Sequence, residues 1–363
     1  MNARRMLALP LILIFCFVMI PFSSHALTVT DMAGRKVSAP FDPQRIICLG
    51  PGALRLIVYL EAQEKVVGIE DLEKKNPGGR PYWMAHSKLM HLPSCGPGGP
   101  AGINKKPDME AVLSVKPQVI FITYMESELA GDVQKTLGIP VVVLSYGEFA
   151  SFDERVYDAL RIAGKILNRE KRADDVVSYI ESMRGDLMKR TVAIPEENKH
   201  TAYVGGVGYR GGHGIESTKQ DFFPFEWVNA KNAAKDVPSQ FKDHLFIDKE
   251  MLYKLNPDII FIDGGGIELV QDDYKKKPKF YNALRAFREG SVYVLHPYNW
   301  YTTNIGTAAA DAYAIGKILY PESFADIDSS AKSDEIYTFL VGKPVVNEMN
   351  KSYGINGRPL FSD

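Results

Sequence analysis

The chain has 363 residues, 43 basic and 44 acidic side chains, a formal net charge of −1 and 45% hydrophobic residues. That length can form two domains of ordinary size, each able to bury a core. The near-neutral balance excludes the strongly basic surface expected of a nucleic-acid binder.

Residues 1–26 stand apart. Arg4 and Arg5 precede an apolar run over 6–21, and Ser23-Ser24-His25-Ala26 ends in a small residue suited to cleavage. This is the pattern of a secretory signal peptide. The run is shorter than the ~20 residues of a membrane span and includes Pro10. Phe15 occupies the position where a lipobox has a small residue, so a lipid on Cys16 is not expected. The mature chain is expected to begin at Leu27 and to be soluble and periplasmic. Cys48 and Cys95 stay with it; an oxidising compartment permits a disulfide, but two free thiols are the expected state.

Residues 27–150 read as an N-terminal α/β lobe. A hairpin over 27–37 turns at Gly34, Pro40 and Pro43 lead to a buried strand at 45–49, and Gly50-Pro51-Gly52 turns into a helix at 53–60. Strand, glycine turn and helix in that order leave backbone N–H groups where an anionic group can sit; the alternative is that the glycines only make a tight turn. After a short strand at 66–69 come two loops, 76–83 and 93–102, rich in Gly and Pro. Long structured loops in compact domains are more often functional than incidental. Arg80, Tyr82 and Trp83 are therefore ligand candidates, the alternative being that the rings pack under the loop and Arg80 pairs with a surface carboxylate.

One unit then occurs twice. Asp108-Met-Glu110, Lys116-Pro117-Gln118 and the apolar run 119–122 recur as Asp248-Lys-Glu250, Asn256-Pro257-Asp258 and 259–262. In each copy the Asp can cap a short helix, the Glu falls in its first turn and the Pro ends it. The β-branched run that follows suits a strand covered on both faces in a parallel sheet. A spacing of about 140 residues is too wide for a solenoid, so the repeat predicts two similar lobes with a cleft between them.

Tyr124 and Tyr146 follow the strands at 119–122 and 139–144, at the strand ends where open α/β sheets gather ligands. Ser151-Phe-Asp-Glu154 matches a capping box. The linker, 151–192, contains a helix over 170–190, about 30 Å long at ~1.5 Å per residue, as a rigid strut. The C-terminal α/β lobe spans 193–345. Its strand at 201–204 runs into a glycine-rich segment, 205–214, in which Gly206, Gly208 and Gly211 fit G-x-G-x-x-G. A dinucleotide site fails because His213-Gly214 interrupts the helix that the motif requires; the segment instead brings Tyr209, Arg210 and His213 against a ligand. The strand at 291–295 leads into the densest polar-aromatic cluster, with Asn299, Trp300 and Tyr301 as candidates. A helix starts at 302–304, another lies near 334–340, and 346–363 is read as a polar tail.

Seven histidines are scattered at no metal-binding spacing, and G-x-S-x-G, a phosphate-binding P-loop and C-x-x-C are absent from the sequence. Neither a metal site, a cofactor nor an enzymatic activity is expected.

The order of Asp31-Met-Ala-Gly34-Arg35, Pro43-x-Arg45-Ile46, the two helix–strand units and Tyr320-Pro321 resembles the class III periplasmic substrate-binding proteins of ABC importers for iron–siderophore, haem, cobalamin and related metal species. The resemblance covers nearly all of the mature chain. It implies two α/β lobes with mainly parallel sheets joined by one long helix, here 170–190, with the ligand cleft between them. The protein would capture an iron chelate or a related complex such as haem or cobalamin. It would deliver that ligand, as a monomer, to an inner-membrane permease dimer. Loops 76–83 and 96–102 look like a subgroup that includes haem-, metal- and molybdate-type binders, so a receptor for molybdate or tungstate is the alternative and a secreted α/β enzyme a third reading. Aromatics from both lobes, chiefly Tyr82, Trp83, Tyr209 and Trp300, would sandwich the ligand. Glu110 and Glu250 match the glutamates that pair with permease arginines in this family.

Overall fold

The computed structural model describes residues 26–75, 78–148, 151–209, 211–238 and 244–361. The leader sequence up to His25, and the candidate Arg210, lie outside them.

A hairpin of β1 (Ala26–Thr30) and β2 (Lys36–Pro40) opens the described chain. The N-lobe sheet is built from β3 (Ile46–Leu49), β4 (Val66–Gly68), β5 (Val119–Thr123) and β6 (Val141–Leu144), in the order β4-β3-β5-β6 with every pair parallel. Helices α1 (Ala53–Tyr59), α2 (Asp71–Lys74), α3 (Pro81–Ala85), α4 (Met109–Ser114) and α5 (Ser127–Leu137) connect the strands. The linker is α6 (Arg155–Ile166) and α7 (Glu170–Thr191); the 22 residues of α7 make it about 33 Å long.

The C-lobe repeats the plan. In chain order it has β7 (Thr201–Gly205), β8 (Ser217–Thr218), α8 (Phe223–Trp227), β9 (Lys231–Asn232), β10 (Leu245–Phe246), α9 (Lys249–Leu255) and β11 (Ile259–Asp263). There follow α10 (Ile267–Lys276), α11 (Pro278–Tyr281), α12 (Arg285–Arg288), β12 (Val292–Leu295), α13 (Ile305–Leu319), α14 (Ser329–Val341) and α15 (Val346–Tyr353). Its sheet order, β12-β11-β7-β9, is again parallel throughout. Reading β9 for β4, β7 for β3, β11 for β5 and β12 for β6 superimposes one topology on the other.

The repeated unit accounts for this. The Asp108 and Asp248 side chains accept hydrogen bonds from Ala111 N (3.0 Å) and Met251 N (2.6 Å), capping α4 and α9. Lys116 and Asn256, each before its proline, take positive φ angles of 47° and 38° and turn the chain into β5 and β11. A second equivalence lies at the strand ends: Gly50 after β3 has φ +79° and Gly206 after β7 has φ +74°. A Cβ on Gly50 would stand 2.6 Å from Thr123 Oγ1, and one on Gly206 would stand 3.2 Å from Gly266 Cα. Each glycine lets the chain cross closely over the end of the neighbouring central strand.

Both lobes share one apolar core. Phe121 and Cys48 of the N-lobe, Val204 and Phe261 of the C-lobe, and residues of α6, α7, α13 and α14 belong to the same buried cluster, while the outer face of each sheet has a smaller core of its own. Ile47 and Leu49 pack with Cys95 on the outer N-lobe face, and Cys48 points to the inner face. Strand alternation thus separates the two thiols, and both are free.

Two sequence expectations need correction. Residues 346–363 are not simply a polar tail: α15 buries Val346 and Met349, and Gly357, Arg358 and Leu360 exchange backbone hydrogen bonds with β12. The 151–154 capping box does not form. Asp153 instead accepts from Arg155 N (2.9 Å) and Glu148 N (3.2 Å), while Ser151 Oγ accepts from Lys219 Nζ of the C-lobe (3.1 Å).

Candidate functional site

In each sheet the chain leaves its first strand toward one side and returns on the other, so β3/β5 and β7/β11 are switch points where ligands of open α/β sheets bind. The loop from β12 to α13, residues 296–304, links the two regions. We call it the strap. It starts in the C-lobe and docks into the N-lobe.

Its anchor is Arg55, on α1, whose side chain is completely buried. Arg55 Nη1 donates to Thr303 O (2.7 Å), and Nη2 donates to Trp300 O (2.9 Å) and Tyr301 O (3.2 Å). Its guanidinium lies 5.1 Å from the Tyr82 ring centroid and 5.8 Å from that of Tyr146. Arg55 Nε has no hydrogen-bond partner among the described residues. Glu73, the carboxylate that acts on Arg55 electrostatically, is taken by Arg80 at 2.7 Å. Arg55 is thus a buried cation held by neutral carbonyls.

Beside it, Arg80 is also fully buried. Glu73 Oε2 accepts from Arg80 Nη1 and from the Tyr82 hydroxyl at 2.8 Å. The Arg80 guanidinium lies 5.3 Å from the Trp300 ring centroid and 5.7 Å from that of Trp83. Burial, then Glu73, pushes the Tyr82 phenol well up. The Tyr301 hydroxyl donates to Glu70 and accepts from Gly99 N (3.0 Å). Burial raises the Glu70 carboxyl to about 7, against the hydrogen bonds from Tyr301 and Gly50 N that hold it down. Tyr146 is buried and donates to Gly52 O (3.0 Å). The Tyr124 hydroxyl meets Thr302, and burial raises its phenol. Tyr301 and Thr302 take consecutive positive φ angles of 51° and 64°. For a β-branched residue this is a true outlier.

Arg80, Tyr82, Trp83, Tyr124, Tyr146, Trp300 and Tyr301, all expected near a ligand, are therefore gathered at one junction. Tyr82 and Trp83, only 1% and 2% exposed, lie within the N-lobe core rather than on an open wall. Gly52 is covered by Tyr146 and the strap: a Cβ on Gly52 would stand 2.6 Å from the Tyr146 ring and 2.7 Å from Thr302. That close approach is what a tight turn at Gly52 requires. Asn299 donates to Gly208 O (3.2 Å) within the C-lobe. Tyr209 and His213 join a separate group of rings, with Tyr209 stacked on His244 at 4.5 Å and His213 against Phe246 at 4.9 Å. Asp263, at the end of β11 where β5 has Thr123, is buried and its carboxyl is raised to about 7.

A cavity of about 210 Å³ adjoins the junction, lined by Gly50, Glu70, Cys95, Lys105, Lys106 and Thr123 among others. A larger depression of about 560 Å³ lies near the start of α7, at the far end of α1, where Arg172 pairs with Glu61 and Lys171 with Asp175. It is remote from both switch points. Among the described residues no group of three or more His, Cys, Asp or Glu is placed to hold a metal ion.

Arg55, Glu70 and Glu73 were missed by sequence reasoning. The signal for Arg55 was present: a single charge in Ala53-Leu-Arg-Leu-Ile-Val-Tyr59, a helix in which every residue is buried.

Residues 46–299 match the sequence profile of the periplasmic binding protein family. The chain belongs to that family. It is 24% identical over 339 residues to the molybdate-binding protein MolA of Haemophilus influenzae, covering 85% of this chain and 89% of that protein. It is also 24% identical over 194 residues to the Fe(3+)-citrate-binding protein YfmC of Bacillus subtilis, covering 53% and 58%. Among solved structures, a periplasmic solute binding protein from Veillonella parvula matches with TM-score 0.74 at 21% identity, over 93% of this chain and all of that one. MolA bound to molybdate matches with TM-score 0.68 at 20% identity, over 88% and 98%. The fold is the two-lobed class III architecture that the sequence resemblance implied. The protein is the substrate-binding component of an ABC transporter, and its family and structural neighbours are solute-binding proteins rather than enzymes. No helix among the described residues is long and apolar enough to cross a membrane.

Proposed function

We propose that this receptor works in the periplasm and captures a small oxyanion of the molybdate or tungstate type for an inner-membrane permease. The observation that carries this reading is Arg55: a fully buried guanidinium at the junction of the lobes, hydrogen-bonded to carbonyls and, among the described residues, to no carboxylate. A buried charge is stable only when paired, and an anion would supply the missing charge. Two further features support a small ligand. The adjoining cavity of about 210 Å³ is below the ~300 Å³ where pockets for drug-sized ligands begin, and Tyr82 and Trp83 are buried instead of forming aromatic walls. The similarity to MolA, a molybdate-binding protein by name, points the same way.

An anionic ferric chelate is the second reading, favoured by the similarity to YfmC. Elemental analysis and absorbance of protein purified from its native host separate the two: a ferric chelate is coloured and carries iron, and an oxyanion is colourless and carries molybdenum or tungsten. Iron at one equivalent with neither of the other metals would overturn the oxyanion reading.

We also assign Glu110 and Glu250 to permease docking. Both are exposed at the second position of equivalent helices, one per lobe. Two like-placed charges meeting two permease subunits would set orientation and docking rate.

A further inference from the structure

Resting on the oxyanion reading, we propose that the strap is a resident stand-in for the ligand. The carbonyl oxygens of Trp300, Tyr301 and Thr303 occupy the Arg55 guanidinium, and the incoming anion binds by exchange with them.

The contrast between two neighbouring arginines leads to this. Arg80 has a carboxylate partner in Glu73, and Arg55 has three backbone oxygens from the other lobe. Both nearby carboxylates are engaged, Glu73 by Arg80 and Tyr82 and Glu70 by Tyr301 and Gly50 N. A fan of oxygens around a guanidinium is also what a tetrahedral oxyanion presents, with formal charge added. Oxygen-for-oxygen exchange keeps the Nη1 and Nη2 donors of Arg55 satisfied, and a charged acceptor makes the stronger hydrogen bond.

The strap is also held under strain. Left-handed φ angles at two successive residues that are not glycine, one of them β-branched, persist only where surrounding contacts over-determine them. Those contacts are the Arg55 hydrogen bonds, Tyr301 to Glu70 and Gly99, and Thr303 Oγ1 to Ser151 O (3.0 Å). Both ends of the strap stay anchored when it lifts: Asn299 is tied to Gly208, and Asn304 leads directly into α13. Undocking therefore moves a short loop between fixed ends. Apparent affinity then scales with the fraction of molecules whose strap is undocked.

The test is calorimetric titration of the mature protein with sodium molybdate and sodium tungstate, alongside Tyr301→Phe and Arg55→Gln. Both substitutions loosen the same junction and lower Tm. Exchange requires them to move affinity in opposite directions. Tyr301→Phe removes a strap contact and tightens anion binding about threefold to tenfold, the equivalent of one ordinary hydrogen bond, and Arg55→Gln weakens it. Amide exchange over 299–304 rises when molybdate is added to wild type. If wild type binds molybdate but Tyr301→Phe binds equally or more weakly, the strap supports the site instead of competing for it, and the exchange proposal is overturned with the receptor reading intact. If neither anion binds wild type or either variant, the oxyanion reading falls and the exchange proposal falls with it.

Discussion

The hydroxyl of Tyr301, from the C-lobe, donates to the carboxylate of Glu70, from the N-lobe, and so ties the two switch-point regions together. Glu70 is 8% exposed, and burial sets its carboxyl at about 7. Because this folded value lies above that of an unfolded glutamate, the folded chain binds the extra proton between about pH 4.5 and 7. Stability therefore falls as pH rises through that window, by roughly 3 kcal/mol at most, and is level above it. Glu70→Gln, which keeps an acceptor for Tyr301, should make the decline shallower, leaving the part due to Asp263, and leave the protein more stable than wild type at pH 8. Melting curves of the two proteins from pH 4.5 to 8 provide the check; parallel curves would show that Glu70 does not titrate there.

Glu73 holds Arg80 and Tyr82 inside the N-lobe. Removing one partner of a buried pair leaves the other charge uncompensated, so Glu73→Ala should destabilise by roughly 3–5 kcal/mol. Lys171→Ala breaks an exposed pair with Asp175 and should cost under about 1 kcal/mol. Denaturant titration of both variants measures the difference, and similar losses would contradict the burial argument.

The repeat was legible because its signals are local. Asp caps, a proline nine residues on and an apolar strand gave the two lobes, and the even helical period of 170–190 gave α7. The junction was not legible, because its chemistry joins residues that are some 245 positions apart, such as Arg55 and Trp300. Arg80, Tyr82 and Trp83 were found as a group, but sequence could not say that Glu73 draws them inward. The tail misled for the opposite reason: its polar residues conceal three buried apolar ones, Val346, Met349 and Leu360, and its strand-edge hydrogen bonds are backbone bonds that leave no trace in side-chain pattern.

Gly50 and Gly206 should differ in sensitivity despite their equivalent places. Each has a positive φ, but a Cβ on Gly50 would meet Thr123 at 2.6 Å, including its backbone carbonyl oxygen at 2.9 Å, and one on Gly206 meets nothing closer than 3.2 Å. Both alanine variants pay the left-handed strain of about 1 kcal/mol or more, and Gly50→Ala adds the clash. Equilibrium unfolding should rank Gly50→Ala as the less stable; the reverse order would mean that the two strand crossings are not alike.

Glu110 and Glu250 are exposed and take no part in the junction. The double variant Glu110→Ala with Glu250→Ala should keep its melting temperature and anion affinity and lose most transport when assayed with its permease. Normal transport, or lost ligand binding, would remove the docking role.

The central claim is that Arg55 supplies the counter-charge for the ligand, and molybdate titration of wild type against Arg55→Lys and Arg55→Gln tests it most directly. Wild type should bind, Arg55→Lys should keep the charge but lose the fork geometry and bind more weakly, and Arg55→Gln should weaken binding at least about tenfold, as expected when a charge-assisted contact worth 1.5–3 kcal/mol is removed. Folded Arg55→Gln protein that binds molybdate as tightly as wild type would contradict the account.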